Sequence, residues 1–264
     1  MIRVGINGAA GRMGQLLCAR TLAHPQLKLA GATDMTAFIG QDVGEMVGLG
    51  TSGIRIEALS EAAFASCDVV IDFSLPEGTI ALIPLLQSQA LVVGTTGLDE
   101  AGAMAVGQHA QTAPVVLAAN FSTGVSVLLE LVVQAAKLLP HADIDIVEMH
   151  HSKKKDAPSG TALALAKAVC DARYYDAEES LIFGRAGDSG PRPTSEVAVH
   201  AVRGGDVAGD HTVILASQGE RIELKHIASN RGAFADGALK AAAWVTQQGP
   251  GLYNMKDVLG LKDA

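Results

Sequence analysis

An apolar run over residues 2–7 leads directly into Gly8-Ala9-Ala10-Gly11-Arg12-Met13-Gly14, and a helical stretch follows from Gly14 to about His24, ended by Pro25. Strand, tight turn and helix are thus joined within a few residues. This arrangement constrains the fold more than any other feature, because a strand that feeds a helix asks for a parallel partner strand. Residues 27–33 supply one, stopping at Asp34. Further strands are expected at 68–73, 91–94 and 114–119, with helices at 60–66, 79–88 (Pro84 a kink) and 100–112. The glycine-rich stretch 36–53 reads as loops. The alternation implies a doubly wound parallel sheet with right-handed crossovers.

The pattern changes after residue 121. A long helix over 125–139 precedes a strand at 143–149, a basic loop and a helix at 160–172. Strands at 196–202, 211–217 and 221–228 then adjoin one another without helices between them. Gln218-Gly219-Glu220 marks a hairpin between the last two. The second sheet is therefore expected to be mixed or antiparallel. A helix over 231–248 follows it and is free to pack back onto the first half. The expected organisation is an α/β chain with one domain from residues 1–121 and 231–264, and an α+β domain from 122–230.

The 264 residues are 48% hydrophobic but only 4% aromatic, so the cores should be aliphatic. A net charge of -8 argues against nucleic acid as a general partner. Cys18, Cys67 and Cys170 form no CxxC pair and no metal-ligand pattern, so no metal is expected. An odd cysteine count with no visible leader fits a reducing cytoplasm, and no apolar run is long enough to span a bilayer.

The glycine spacing has a chemical reading. Glycine lets backbone approach a pyrophosphate, and the following helix start offers N–H groups and a positive dipole end. Alone the motif is weak; between a strand and a helix, with Asp34 closing the next strand, it fits a dinucleotide site. Gly8, Ala9, Ala10, Gly11, Arg12, Met13 and Gly14 are the expected phosphate-binding turn. Asp34 should accept hydrogen bonds from ribose hydroxyls and repel a 2′-phosphate, which favours NADH over NADPH. Arg12 pulls the other way, so the preference is expected to be incomplete. Gly94, Thr95 and Thr96, with Ala119, Asn120 and Phe121, follow apolar strands at the carboxyl edge where ligands bind, and Phe73 ends another. Each also has a plain structural use as a turn former or core residue.

The densest chemistry lies in Glu148-Met149-His150-His151-Ser152-Lys153-Lys154-Lys155-Asp156-Ala157-Pro158-Ser159-Gly160-Thr161. If strand geometry persists, His150 and His151 point to opposite faces, so one of them meets a substrate. A lysine run is usually a solvated loop, but it also attracts anions. Ser159 suits the N-cap of the next helix, whose free N–H groups with the Thr161 hydroxyl would cradle a carboxylate. A dicarboxylate fits this arrangement.

His150-His151-x-x-Lys154-x-Asp156-Ala157-Pro158-Ser159-Gly160-Thr161 resembles the signature of the 4-hydroxy-tetrahydrodipicolinate (dihydrodipicolinate) reductase family of lysine and diaminopimelate synthesis. The likeness extends through the glycine turn, Ile71-Asp72-Phe73-Ser74, Gly94-Thr95-Thr96-Gly97, Ala119-Asn120-Phe121-Ser122 and Gly205-Asp206-Val207-Ala208-Gly209-Asp210-His211-Thr212. It covers essentially the whole chain. It implies a Rossmann-like cofactor domain built from both chain ends and a middle domain for substrate and tetramer formation. It also implies hydride transfer from NAD(P)H to ring carbon 4 of a cyclic imine, with a proton then delivered to carbon 3. By the same resemblance His150 is the proton donor, Lys154 holds a substrate carboxylate and assists His150, and His151, Lys154, Ser159, Gly160 and Thr161 bind substrate.

Met35 stands where many relatives carry a basic residue, and Leu75 where a charge is common. Two rivals remain at this stage: another NAD(P)-dependent dehydrogenase of small substrates, which would not explain the lysine–Pro-Ser-Gly-Thr loop, and a dinucleotide-sensing protein without turnover, which would have no need of the His–Lys pair.

Overall fold

The structure is a computed structural model and describes residues 1–261. In chain order the strands and helices are β1 (Ile2–Asn7), α1 (Arg12–Leu22), β2 (Leu27–Thr33), α2 (Val43–Met46), α3 (Glu61–Phe64), β3 (Val69–Asp72), α4 (Pro76–Leu82), β4 (Ala90–Val93), α5 (Glu100–His109), β5 (Pro114–Leu117), α6 (Thr123–Leu138), β6 (Asp143–His150), α7 (Gly160–Arg173), α8 (Ala177–Ser180), β7 (Leu181–Phe183), β8 (Val197–Arg203), β9 (Gly209–Ser217), β10 (Glu220–Ala228), α9 (Gly232–Val245), β11 (Gly251–Tyr253) and α10 (Met255–Leu259). The described residues divide into two compact units, 1–123 with 232–261, and 124–231; the last three residues of the expected first domain, 262–264, lie outside the described residues.

The first unit is built on a six-stranded sheet in the order β11-β5-β4-β3-β1-β2, with every pair parallel. Its central strands β3 and β4 are buried on both faces, and their side chains alternate between two apolar layers. Val69, Ile71 and Val92 join α1 and α9 residues such as Leu17, Ala238 and Ala242. Val70, Leu91 and Val93 join Phe64, Leu82 and Val106 from α3, α4 and α5. A two-residue period with both faces covered is what a doubly wound sheet requires. The order reverses between β1 and β3, so their carboxyl ends form the topological switch point.

Some expected boundaries move for local reasons. The stretch 36–53 is not all loop. Asp42 caps the short α2, and its carboxylate accepts hydrogen bonds from Gly44, Glu45, Ser52 and Gly53 N–H groups and the Ser52 hydroxyl. Those bonds, led by the one from the Ser52 N–H, hold its carboxyl well below the usual range. The helix expected at 79–88 starts earlier, with Pro76 in its first turn, and becomes a 3-10 turn over Ile83–Leu85. Helix α1 begins at Arg12 rather than Gly14.

The second unit carries a five-stranded mixed sheet, β10-β9-β6-β8-β7. Strand β6 runs parallel to β8 and antiparallel to β9, and β9–β10 is the expected hairpin, with Ser217 opposite Glu220. Ile144, Ile146, Val199, Val213 and Leu215 face α6 and α7 and make its core with Leu128, Val132, Leu165 and Val169.

Candidate active site

The first cluster sits at the carboxyl ends of the parallel strands. Register places Thr33, Asn7 and Asp72 in one row at the ends of β2, β1 and β3. The Thr33 hydroxyl donates to Asn7 Oδ1 (2.8 Å), and Asn7 Nδ2 donates to Asp72 Oδ1 (2.8 Å). Asp72 is fully buried, and it also accepts from the Ser74 N–H (3.2 Å) and the hydroxyls of Ser74 (2.6 Å), Thr79 (2.5 Å) and Thr95 (3.1 Å). This network fixes the residues that follow each strand: Gly8, Asp34, Phe73 and Gly94. Sequence reading missed Asp72. Its signals were its place in the Ile71-Asp72-Phe73-Ser74 stretch and a carboxylate near the end of an otherwise apolar strand.

The glycine turn is folded tightly onto its neighbours. A Cβ on Gly14 would lie 2.0 Å from the Gly8 carbonyl oxygen, so no other residue fits there without moving the turn. The N–H groups of Gly8 and Ala9 donate to the Thr33 carbonyl, and that of Ala10 donates to Asp34 Oδ2 at 2.7 Å. Asp34 also accepts from the Met35 N–H (2.7 Å), so this expected ribose-binding carboxylate already braces the turn. Gly11, the N-cap of α1, offers no side-chain cap, and the first N–H groups of that helix (Arg12, Met13, Gly14) have no carbonyl within it to bond. Arg12 is exposed beside them. The close backbone approach and the uncapped N-terminus fit a pyrophosphate.

Phe73 packs into Gly94: a Cβ there would come within 2.3 Å of its ring. The Phe73 and Phe121 rings lie 5.4 Å apart, with Phe121 buried and Phe73 half-buried. Thr95 is buried on Asp72, whereas Thr96 and Ala119 are exposed and Asn120 accepts from the Ser122 N–H (2.8 Å). The predicted residues at these strand ends therefore share one sheet edge, with Phe121 and Thr95 as its packed floor.

The second cluster lies in the second unit. His150 ends β6 on the buried face with Ile144, Ile146 and Glu148, and is 9% exposed. Its Nδ1 lies 2.6 Å from Glu148 Oε2. Glu148 is fully buried and takes both Arg203 terminal nitrogens (2.9 Å each) and the Ser159 N–H (2.9 Å). Burial alone would push this carboxyl up; the bonds from Arg203, His150 and Ser159 outweigh it and hold it below the usual carboxylate range. His211, opposite Glu148 on β9, meets the His150 ring edge-on at 5.3 Å. Its Nε2 lies 3.0 Å from the Ser159 hydroxyl. Burial, reinforced by His150, depresses His211 to about 4, so it is neutral near pH 7.

The lysine run resolves into different roles. Lys153 and Lys155 are exposed, but Lys154 is half-buried and pairs with Asp156 at 2.8 Å. His151 leaves the strand: its N–H donates to the Val207 carbonyl, and its Nδ1 is buried with no hydrogen-bond partner. Ser159 is the N-cap of α7 through its hydroxyl to the Ala162 N–H (3.2 Å), as the sequence suggests. Its hydroxyl and N–H are both engaged inside the protein, while Gly160 is exposed at the helix start beside Thr161. Glu148, Arg203 and His211 were not anticipated. Glu148 carried a readable signal, since residues two apart on a strand share a face. Among the described residues, no group of three or more His, Cys, Asp or Glu side chains is arranged to hold a metal ion.

Comparison with known proteins bears on both clusters. Residues 2–121 match the family model for the dihydrodipicolinate reductase N-terminus, and residues 124–259 match that for its C-terminus. The chain is 46% identical over 263 residues to a 4-hydroxy-tetrahydrodipicolinate reductase of Halorhodospira halophila, covering 98% of each. It is 45% identical to the same-named protein of Alkalilimnicola ehrlichii, covering 98% of this chain and 99% of that one. Its fold resembles a dipicolinate-bound dihydrodipicolinate reductase from Paenisporosarcina, with a TM-score of 0.76 at 23% identity over 96% and 97% of the two chains. The chain therefore belongs to the dihydrodipicolinate reductase family.

Proposed function

We propose that this chain catalyses its family's reaction, the NAD(P)H-dependent reduction of 4-hydroxy-tetrahydrodipicolinate, by way of dihydrodipicolinate, to tetrahydrodipicolinate in lysine and diaminopimelate synthesis. The observation that carries the reading at the site is the cluster in the second unit. There His150 and the start of α7 bond Glu148 directly, and half-buried Lys154 joins the group through Asp156 and Arg203.

The first unit is the cofactor domain in this reading. The turn from Gly8 to Gly14 holds the pyrophosphate, Asp34 the adenosine ribose, and Phe73, Gly94, Thr95, Thr96, Ala119, Asn120 and Phe121 form the remaining edge. Bound there, the nicotinamide supplies a hydride. The second unit binds the dicarboxylate through His151, Lys154, Ser159, Gly160 and Thr161. Of these, Gly160 is exposed at the helix start, where backbone N–H groups and the helix dipole favour an anion, and Ser159 holds that helix start in place. His150 delivers the proton that the electron-rich ring needs once it has been reduced, a task suited to an imidazole. Lys154 offsets substrate charge and orients the ring.

NADH is the preferred cofactor in this account, with NADPH used less well. Asp34 disfavours a 2′-phosphate, and the exposed Met35 gives that phosphate no charge to pair with. A homotetramer formed through the second sheet is supported by its edge strand β10, which exposes Ile222 and Ile227. Three buried free cysteines suit a cytoplasmic location. Among the described residues, no helix is long and apolar enough to cross a membrane.

The test is to mix the purified protein with freshly generated substrate and follow oxidation of NADH and NADPH separately. Substrate-dependent turnover with the higher kcat/KM for NADH, and competitive inhibition by dipicolinate, are expected. No substrate-dependent oxidation of either cofactor would overturn the reaction; a strong NADPH preference would overturn the Asp34 argument alone.

A further inference from the structure

We propose that Glu148, clamped by Arg203, is the positioning residue of this site: it fixes His150 in the tautomer protonated at Nδ1 and so makes Nε2 the atom that delivers the proton. The inference rests on the assignment of His150 as proton donor.

Each Glu148 oxygen receives two hydrogen bonds: Oε1 from Arg203 and Ser159, and Oε2 from Arg203 and His150. A carboxylate forked by a guanidinium is ionised and has no proton to give. His150 Nδ1 must therefore be the donor in this contact, and that sets the tautomer. Nε2 is left as the nitrogen that gains and loses the second proton. Gly209 borders it; a Cβ at that position would come within 3.0 Å.

The same ion pair extends to the substrate side. Arg203 lies opposite His150 in the β6–β8 register, and also donates to the Asp156 carbonyl at 2.7 Å. Asp156 in turn pairs with Lys154. Glu148 itself holds the Ser159 N–H at the N-cap of α7. This pair, with Glu148 buried and Arg203 half-buried, thus ties together the imidazole, the lysine loop and the helix start. The charged and titratable groups next to His150 are Glu148 on its own strand, Arg203 opposite it on β8 and His211 on β9; His226 on β10 lies beyond His211, and Asp156 with Lys154 is reached through Arg203. His211 is neutral near pH 7, and Lys154 is matched by Asp156. Of these groups, Glu148 is the one bonded to the His150 ring, and Arg203 balances its charge.

A purely structural ion pair would stabilise the sheet without touching the chemistry. The two roles separate in the kcat–pH profile of Glu148→Gln. Removing the charge while keeping the shape takes a favourable partner from the imidazolium, so the basic limb of kcat should move down by about one pH unit. The value of kcat should fall about tenfold to a hundredfold, with a smaller change in substrate KM. A limb at the wild-type pH with kcat within about twofold of wild type would overturn the proposal. A second measurement needs neither turnover nor Glu148→Gln. In the full-length protein with 15N-labelled histidine, the His150 signal, assigned by its loss in His150→Gln, should show the Nδ1–H tautomer near neutral pH. An Nε2–H tautomer would overturn the proposal even if Glu148→Gln did not fold. Absence of wild-type turnover would instead strike the functional reading, and the tautomer would still be read.

Discussion

The Nδ1 atom of His150 lies 2.6 Å from Oε2 of Glu148, two residues back on the same face of β6. The contact joins local strand geometry to the chemistry of the site. Alternation along one strand puts a carboxylate beside the imidazole, and the neighbouring strands then supply Arg203 and His211 around it. A buried carboxylate persists only when its partners outweigh desolvation, and here they do.

Stability should therefore depend on pH in the mildly acidic range. His211 titrates at about 4 when folded, against an ordinary value of 6.5, so between these values the unfolded chain binds more protons. Stability then rises with pH through that window and is lost as pH falls through it. Glu148, held below the usual carboxylate range, acts in the same sense at lower pH: its contribution is present above the unfolded value and lost as pH falls through the folded one. Urea unfolding should show a loss of about 2 kcal/mol between pH 7 and pH 5 attributable to His211, and a shallower slope in His211→Asn. An unchanged slope in the variant would contradict the assignment.

Asp72→Ala should be among the most damaging substitutions in the first unit. It leaves Asn7 Nδ2, the Ser74 N–H and the hydroxyls of Ser74, Thr79 and Thr95 without their buried acceptor. A loss of about 3 kcal/mol in denaturant unfolding is expected; a change within about 0.5 kcal/mol would mean the network is not held by this carboxylate.

How much of this was legible follows from how local each signal is. The turn from Gly8 to Gly14 and the strand ends near Asp34, Phe73 and Gly94 could be read because strand period and glycine spacing are properties of short segments. The parallel sheet followed from their alternation. Arg203 and His211 were not readable, because their places depend on which strands of the second sheet become neighbours. Of the lysine triplet, the resemblance pointed to Lys154, and its half-burial against Asp156 sets it apart from Lys153 and Lys155. Helix α2 was missed because four residues leave no periodicity; only Asp42 as a cap announced it. Strands β7 and β11 are three residues each and rest on pairing with β8 and β5.

Tyr174 closes α7 in the left-handed region (φ 58°) and is 97% exposed, so its ring has little packing to lose. Tyr174→Gly removes the Cβ strain and should stabilise the fold by about 0.5–1 kcal/mol, read as a higher urea midpoint with unchanged m. A lower midpoint would show that the tyrosine makes a compensating contact.

The most direct test of the account is the comparison of kcat and cofactor dissociation constant among wild type, His150→Gln and Lys154→Ala. Both variants are expected to bind NADH about as tightly as wild type while kcat falls by roughly two orders of magnitude or more. Near-normal turnover in both variants would contradict it.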